Sequence, residues 1–355
     1  MQAITINGRK IGNEHPPFII AELSANHNGS IERAFQTMNA AHLAGVDAVK
    51  IQTYTPDTIT IDCDREDFII RDGLWSGQKL YDLYKKAHTP FEWHKPLFDH
   101  AQKKGITLFS TPFDESAVDL LEELGVPAYK IASFELVDLP LIRYVARTGK
   151  PMIMSTGMAS LDEISEALEA AKEEGCRDLA LLHCVSSYPT SIEQAQLRQI
   201  NTLRKEFQTI VGLSDHSMGA LAAITSIALG ASIVEKHFTL NRSHKGPDSE
   251  FSIEPDEMKT LCHETRMAWQ SLGSETFVRP KSESTCHPLR RSIYFVRDMK
   301  AGEKIGPKDI KRIRPGFGLS PKYFETLIGK RLAVDVDFGT PTNWEMFKEK
   351  ARHQT

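Results

Sequence analysis

The chain has 355 residues, 41% of them hydrophobic and 25% charged, with a formal net charge of −4. These proportions fit a globular protein with a substantial core. They leave no basic field, so no nucleic-acid partner is expected. Five scattered cysteines, with no C-x-x-C pair, argue against a disulfide framework and for a reducing compartment. Met1–Lys10 lacks a signal-peptide core, and no stretch reaches the ~18 apolar residues of a membrane span. A cytoplasmic location with no membrane partner is expected.

Residues 1–17 alternate weakly and end in Pro16-Pro17, which predicts a short hairpin. A rhythm then begins. Apolar runs lie at 18–21, 48–51, 106–109, 128–131, 151–154, 179–182, 209–213 and 232–234. Helical patterns separate them, as at 31–44, 91–104, 116–124 and 161–174, and several close on glycine. Strands alternating with helices pair in parallel. Eight such units predict a (β/α)8 TIM barrel. A doubly wound open sheet is the alternative, but no G-x-G-x-x-G turn follows the first strand. The connection from Thr53 to Thr89 is long enough to be functional. Residues 1–275 are thus assigned to the hairpin plus barrel. Residues 276–290, polar and proline-containing, read as a linker. From 291 to 350 short strands and tight turns predict a small β-rich domain.

A barrel's active site lies at the carboxyl ends of its strands. The runs there lead into Glu22, Lys50 and Gln52, Ser110-Thr-Pro, Lys130 and Ser133, Ser155-Thr-Gly, His183 to Tyr188, Ser214-Asp-His216 and Glu235-Lys-His237. His216 and His237 each end an apolar run, and together read as a divalent-metal site, the structural alternative being two ordinary hydrogen-bonded histidines at strand ends. Lys50 and Lys130 interrupt apolar runs. With the nearby hydroxyls they make a cradle for a phosphate plus a carboxylate. Pairing with Glu22 or Glu235 is the structural alternative, and the two are compatible. A Schiff-base lysine is a third possibility. Glu22 is placed to act as a general acid or base, or to pair with Lys50. Asp248, in a polar loop, could accept bonds from sugar hydroxyls.

Ile20-Ala-Glu-Leu-Ser-Ala-Asn-His-Asn-Gly29, Val49-Lys-Ile-Gln-Thr53, Ser110-Thr-Pro-Phe113, Tyr129-Lys-Ile-Ala-Ser133, Ser155-Thr-Gly-Met158, Leu182-His-Cys184, Gly212-Leu-Ser-Asp-His216 and Glu235-Lys-His-Phe238 together resemble the sialic acid synthase family. The C-terminal segment resembles that family's SAF, or antifreeze-like, domain. The resemblance implies condensation of phosphoenolpyruvate (PEP) with the open-chain aldehyde of an N-acetylated sugar, addition of water, and loss of phosphate by C–O cleavage. It implies that His216 and His237 hold a divalent metal, Mn2+ first, with Mg2+ or Co2+ as alternatives. It places PEP on Lys50, Thr111, Lys130, Ser133, Ser155, Ser186 and Ser214. It places the sugar on Gln52, Tyr188 and Asp248, and makes Glu22 the acid/base. Arg314 resembles the SAF arginine that reaches into a partner's barrel, which implies a domain-swapped homodimer. One departure is Ser186, where the sialate enzymes carry Asn. The motif Gly73-Leu-Trp75 is expected to face the methyl end of a 6-deoxy sugar. Competing readings are a metal-dependent aldolase or isomerase that does not use PEP, and an ice- or carbohydrate-binding role for the C-terminal domain.

Overall fold

Continuous Val/Ile/Leu-rich runs cover both of their faces only inside a parallel sheet. The eight runs do so here, in a computed structural model that describes residues 3–274 and 276–347. Positions 1–2, 275 and 348–350 of the assigned ranges lie outside the described residues. The strands are β3 (Phe18–Glu22), β4 (Ala48–Thr53), β5 (Leu108–Pro112), β6 (Tyr129–Ile131), β7 (Met152–Ser155), β8 (Leu179–Cys184), β9 (Ile210–Asp215) and β10 (Ile233–His237). They close into a parallel barrel in the order β10-β3-β4-β5-β6-β7-β8-β9. The predicted TIM barrel is therefore the observed one.

Helices between the strands start and stop where their sequence says. Ser30 caps Ile31–Ala44 by accepting the Arg33 amide, and Ser160 forms a capping box with Glu163 ahead of Leu161–Glu173. Gly45 and Gly105 close their helices in the left-handed region. The hairpin β1 (Ile4–Ile6) and β2 (Arg9–Ile11) turns at Asn7-Gly8, both at positive φ. Its buried Ile4, Ile6 and Ile11 join the barrel core.

Two refinements concern the connections. The long segment after β4 is not a bare loop. It contains helices at Pro56–Ile59 and Leu80–Ala87 and a 3₁₀ turn at Glu66–Phe68. The strands also run further than the apolar runs. Glu22, Asp215 and His237 are the last residues of their strands rather than the first residues of loops. That fixes which way they point.

The chain divides at Gly273/Ser274. In the second unit β11 (Ser292–Phe295) pairs antiparallel with β12 (Ile310–Ile313). The other segments read as strands join only through single bridges, such as Met299 with Val336 and Lys304 with Arg331. Their Asp, Gly and Pro content favours turns over ladders. Ile293, Phe295, Met299, Ile305, Ile310, Leu327, Leu332 and Val336 form this unit's own core. Residues 281–289, in the stretch read as a linker, coil as an exposed 3₁₀ segment. Among the described residues no helix is long and apolar enough to cross a membrane.

Candidate active site

Alternation sends every second strand residue into the barrel. In register, His237 lies beside Glu22, and Glu22 beside Lys50. The Lys50 ammonium sits 2.7 Å from Glu22 Oε2 and 3.9 Å from Glu235 Oε1, and donates to Thr111 Oγ1 at 2.9 Å. Lys130 lies 4.0 Å from the same Glu235 oxygen and donates to the Ile131 carbonyl. Gln52 donates to Glu22 Oε1 and to Ser24 Oγ. Both lysines are thus buried and paired with carboxylates, as the structural reading expects, and both sit on the floor of the barrel mouth.

Burial drives the electrostatics of this floor. It would lower the Lys50 ammonium, but Glu22 and Glu235 outweigh it and raise the group. For Lys130 burial wins and the ammonium is lowered. Burial also lifts the Glu22 carboxyl, against the pull of Lys50. It would lift Glu235 too, but Lys130 and Lys50 together hold that carboxyl low. Two neighbouring carboxyls are thus pushed in opposite directions, Glu22 up by burial and Glu235 down by two ammonium groups.

Hydroxyls ring the lysines. Ser133 Oγ accepts the Gly157 amide at 3.0 Å. A Cβ at position 157 would collide with the Ser186 and Ser133 hydroxyls, so glycine is required for their approach. Ser155 Oγ is buried with no protein partner, a cost that a bound ligand would remove. Ser214 Oγ donates to Glu235 at 3.4 Å. Ser186, only half-buried, lies 3.9 Å from Cys184 Sγ.

Above the floor, the His216 and His237 rings are 5.4 Å apart. His216 Nδ1 faces the Val185 carbonyl at 2.9 Å and so carries a proton there. His237 Nδ1 is buried and unpartnered, with Asp248 Oδ2 4.0 Å away. Burial holds His237 well below its ordinary value, hence neutral. His216 is pushed the other way: burial would lower it, but Cys184 and the Val185 carbonyl raise it above its ordinary value. A buried imidazole nitrogen without a partner, as at His237, is a donor a divalent ion takes. The residues fit a metal that keeps open positions for substrate and water. Among the described residues no cluster of three or more His, Cys, Asp or Glu has metal-holding geometry, so protein ligands beyond the pair are not supplied.

An aromatic wall covers the pair. Tyr188 lies 4.2 Å from the His216 ring, Phe251 4.9 Å from the His237 ring, and Tyr188 and Phe251 are 5.1 Å apart. Trp75, from the long connection, packs 5.6 Å from Tyr188 and donates Nε1 to the Pro247 carbonyl at 3.0 Å. Asp248, next in the chain, accepts the Ala25 amide.

The structure brings Glu22, Lys50, Gln52, Thr111, Lys130, Ser133, Ser155, Ser186, Tyr188, Ser214, His216, His237 and Asp248 to one barrel mouth. Arg314 belongs to the second unit, exposed on the turn after β12. Asp215 and Lys236 are corrected. They occupy strand ends, but alternation turns them away from the mouth, and they pair with each other. Phe251 and Glu135 were missed. Burial pushes the Glu135 carboxyl up to about 7, and its Oε2 is buried without a partner. Nothing in a loop's sequence marks such a residue.

The chain matches known proteins over most of its length. The NeuB family model matches residues 37–277 and the SAF domain model residues 290–348. The chain is 46% identical over 333 residues to the pseudaminic acid synthase of Campylobacter jejuni, covering 93% of this chain and 97% of that one. It is 37% identical over 346 residues to the N,N'-diacetyllegionaminic acid synthase of Legionella pneumophila, covering 96% and 97%. Among solved structures, the N-acetylneuraminic acid synthetase of Leptospira borgpetersenii superposes with a TM-score of 0.73 at 34% identity, over 80% of this chain and 94% of that one.

Proposed function

This chain belongs to the NeuB family, and we propose that it is a pseudaminic acid synthase. It condenses PEP with the open-chain aldehyde of 2,4-diacetamido-2,4,6-trideoxy-L-altrose and water, and releases phosphate and a nine-carbon sugar acid. The observation that carries the chemistry is the pair of buried lysines, Lys50 and Lys130, in the same barrel mouth as the neighbouring His216 and His237 rings. The choice of sugar rests on the 46% identity to a pseudaminic acid synthase.

Lys50 and Lys130 neutralise the phosphate and carboxylate of PEP, with Thr111, Ser133, Ser155, Ser186 and Ser214 as hydroxyl donors. Gln52, Tyr188 and Asp248 orient the sugar. Carbon 3 of PEP bonds to the aldehyde carbon as the C=C and C=O π bonds open, which leaves carbon 2 cationic and the sugar oxygen to be protonated. Water adds to carbon 2 and gives up one proton, which Glu22 passes to the sugar oxygen; the C–O bond to phosphate then breaks as the carbon 2 carbonyl forms, and the second proton of the water leaves with phosphate. Glu22, its carboxyl lifted by burial, takes the proton that the added water gives up. His216 and His237 would hold the divalent ion, Mn2+ first, which when bound polarises the aldehyde oxygen as a Lewis acid. The aromatic wall excludes bulk water from the cationic carbon. Arg314 is assigned to the mouth of a second copy in a domain-swapped homodimer. The enzyme is placed in the cytoplasm, where PEP is made.

Phosphate release is measured with PEP, Mn2+ and each of three sugars: the L-altrose derivative, its D-mannose isomer and N-acetylmannosamine. The highest kcat/KM is expected with the first. Preference for the second makes the enzyme a legionaminic acid synthase. No release with any of them sinks the PEP reading and leaves a barrel aldolase or isomerase. EDTA is expected to abolish turnover, and Mn2+ to restore it.

A further inference from the structure

His216 directly follows β9 and His237 ends the neighbouring β10, and a second pair of residues stands back to back with them. Lys236 precedes His237 on β10, and Asp215 precedes His216 on β9. The two are direct partners in the parallel register. Because side chains alternate, they point out of the barrel wall while the histidines point in. Lys236 Nζ lies 2.7 Å from Asp215 Oδ2, with side-chain exposures of 0% and 3%. Lys236 also donates to the Ser217 carbonyl. Asp215 Oδ1 accepts the Ser217 amide at 2.8 Å and the Ser217 hydroxyl at 2.7 Å. The residues on both sides of His216 are therefore tied to the residue beside His237.

A fully buried ion pair is a poor way to add stability, since apolar side chains of like volume commonly do as well or better. What it does give is a fixed register and direction. Each ammonium and carboxylate bond here ends on a group that flanks a histidine. We propose that Lys236 and Asp215 are positioning residues that set the separation of the two imidazoles, and thereby the affinity of the site for a divalent ion. The ionic staple stands behind the strands, out of reach of substrate. This rests on the metal reading of His216 and His237.

The test is direct Mn2+ binding to the metal-free protein, read as free Mn2+ by electron paramagnetic resonance. PEP binding by calorimetry and the melting temperature are followed beside it. The double variant Lys236→Met/Asp215→Asn removes both charges, so neither is left buried alone. It is expected to melt cooperatively and to bind PEP within twofold of the unaltered protein, with a Kd for Mn2+ raised at least tenfold. A Mn2+ affinity within twofold overturns the proposal. So does an equal loss of Mn2+ and PEP binding, which would mark general loosening. Lys236→Arg, which keeps the charge but changes the reach, gives a second reading should the double variant not fold. A threefold or larger loss of Mn2+ affinity is expected there, and no change overturns the proposal. His237→Ala separates this from the parent reading: if it leaves Mn2+ binding intact, the metal assignment fails first.

Discussion

The mouth of this barrel has two dissimilar regions. Its floor is charged: Glu22, Lys50, Glu235 and Lys130 are all buried on strands and linked at 2.7 to 4.0 Å. Its wall is aromatic: Trp75, Tyr188 and Phe251 come from three separate connections. Strand residues are held by ladders on both sides and cannot drift, which suits charges whose value depends on tenths of an ångström. Connection residues can vary in length and size without disturbing the barrel. On the proposed function, the difference puts constant chemistry at the floor and choice of sugar at the wall. That division matches the proposed reaction, in which PEP is invariant and the sugar is the variable.

The sharpest way to break the division is at Glu22. Glu22→Gln keeps the size and most hydrogen bonds but cannot move a proton. A fall in kcat of about 10²- to 10⁴-fold is expected, the usual worth of general acid–base catalysis. PEP binding by calorimetry should change far less. An equal loss in kcat and in PEP affinity would make Glu22 a mere counter-ion for Lys50. In that case the opposed directions of Glu22 and Glu235 would carry no catalytic meaning.

Acid tests the wall from beneath. His27 Nε2 donates to the Ala87 carbonyl, at the end of the long connection that bears Trp75, and Nδ1 accepts the Gly29 amide. Burial lowers this imidazole to about 4 from 6.5. The unfolded chain therefore takes up the proton first as pH falls. Stability from this group is whole above pH 6.5 and is lost as pH drops toward 4, by on the order of 3 kcal/mol in the limit. Urea unfolding between pH 7 and 4.5 checks it. His27→Gln, which removes the titration, is expected to flatten the pH dependence; an unchanged slope would place the acid-sensitive group elsewhere.

The same division explains what could be read from the sequence. All eight strands were legible because a parallel strand buried on both faces leaves an unbroken apolar run, and Lys50 and Lys130 were conspicuous as charges inside such runs. The histidine pair was legible from its place at two successive run ends. The direction of neighbouring residues was not. Asp215 and Lys236 look like Ser214 and Glu235 in sequence, and only the register shows that they face away. Glu235 is a lysine partner as its sequence position suggests, and the structure adds that Lys50 and Lys130 share it. Phe251 and Glu135 escaped because connections carry no period from which a direction can be inferred.

Trp75 offers the finest cut. Among the described residues its indole is the one contribution of the long connection to the aromatic group over the histidines, and a bond from Nε1 to the Pro247 carbonyl ties it to the segment that carries Asp248. Trp75→Phe keeps an aromatic ring against Tyr188 and removes that bond. The net worth of such a bond is about 1 kcal/mol, so the KM for the sugar is expected to rise about fivefold, with the KM for PEP and kcat nearly unchanged. Trp75→Ala also removes the ring, and should reduce the preference for the 6-deoxy sugar over N-acetylmannosamine. If Trp75→Phe raises the KM of PEP as much as that of the sugar, floor and wall act as one unit. If Trp75→Ala leaves the sugar preference intact, choice of sugar lies with Tyr188, Phe251 and Asp248 rather than with the long connection.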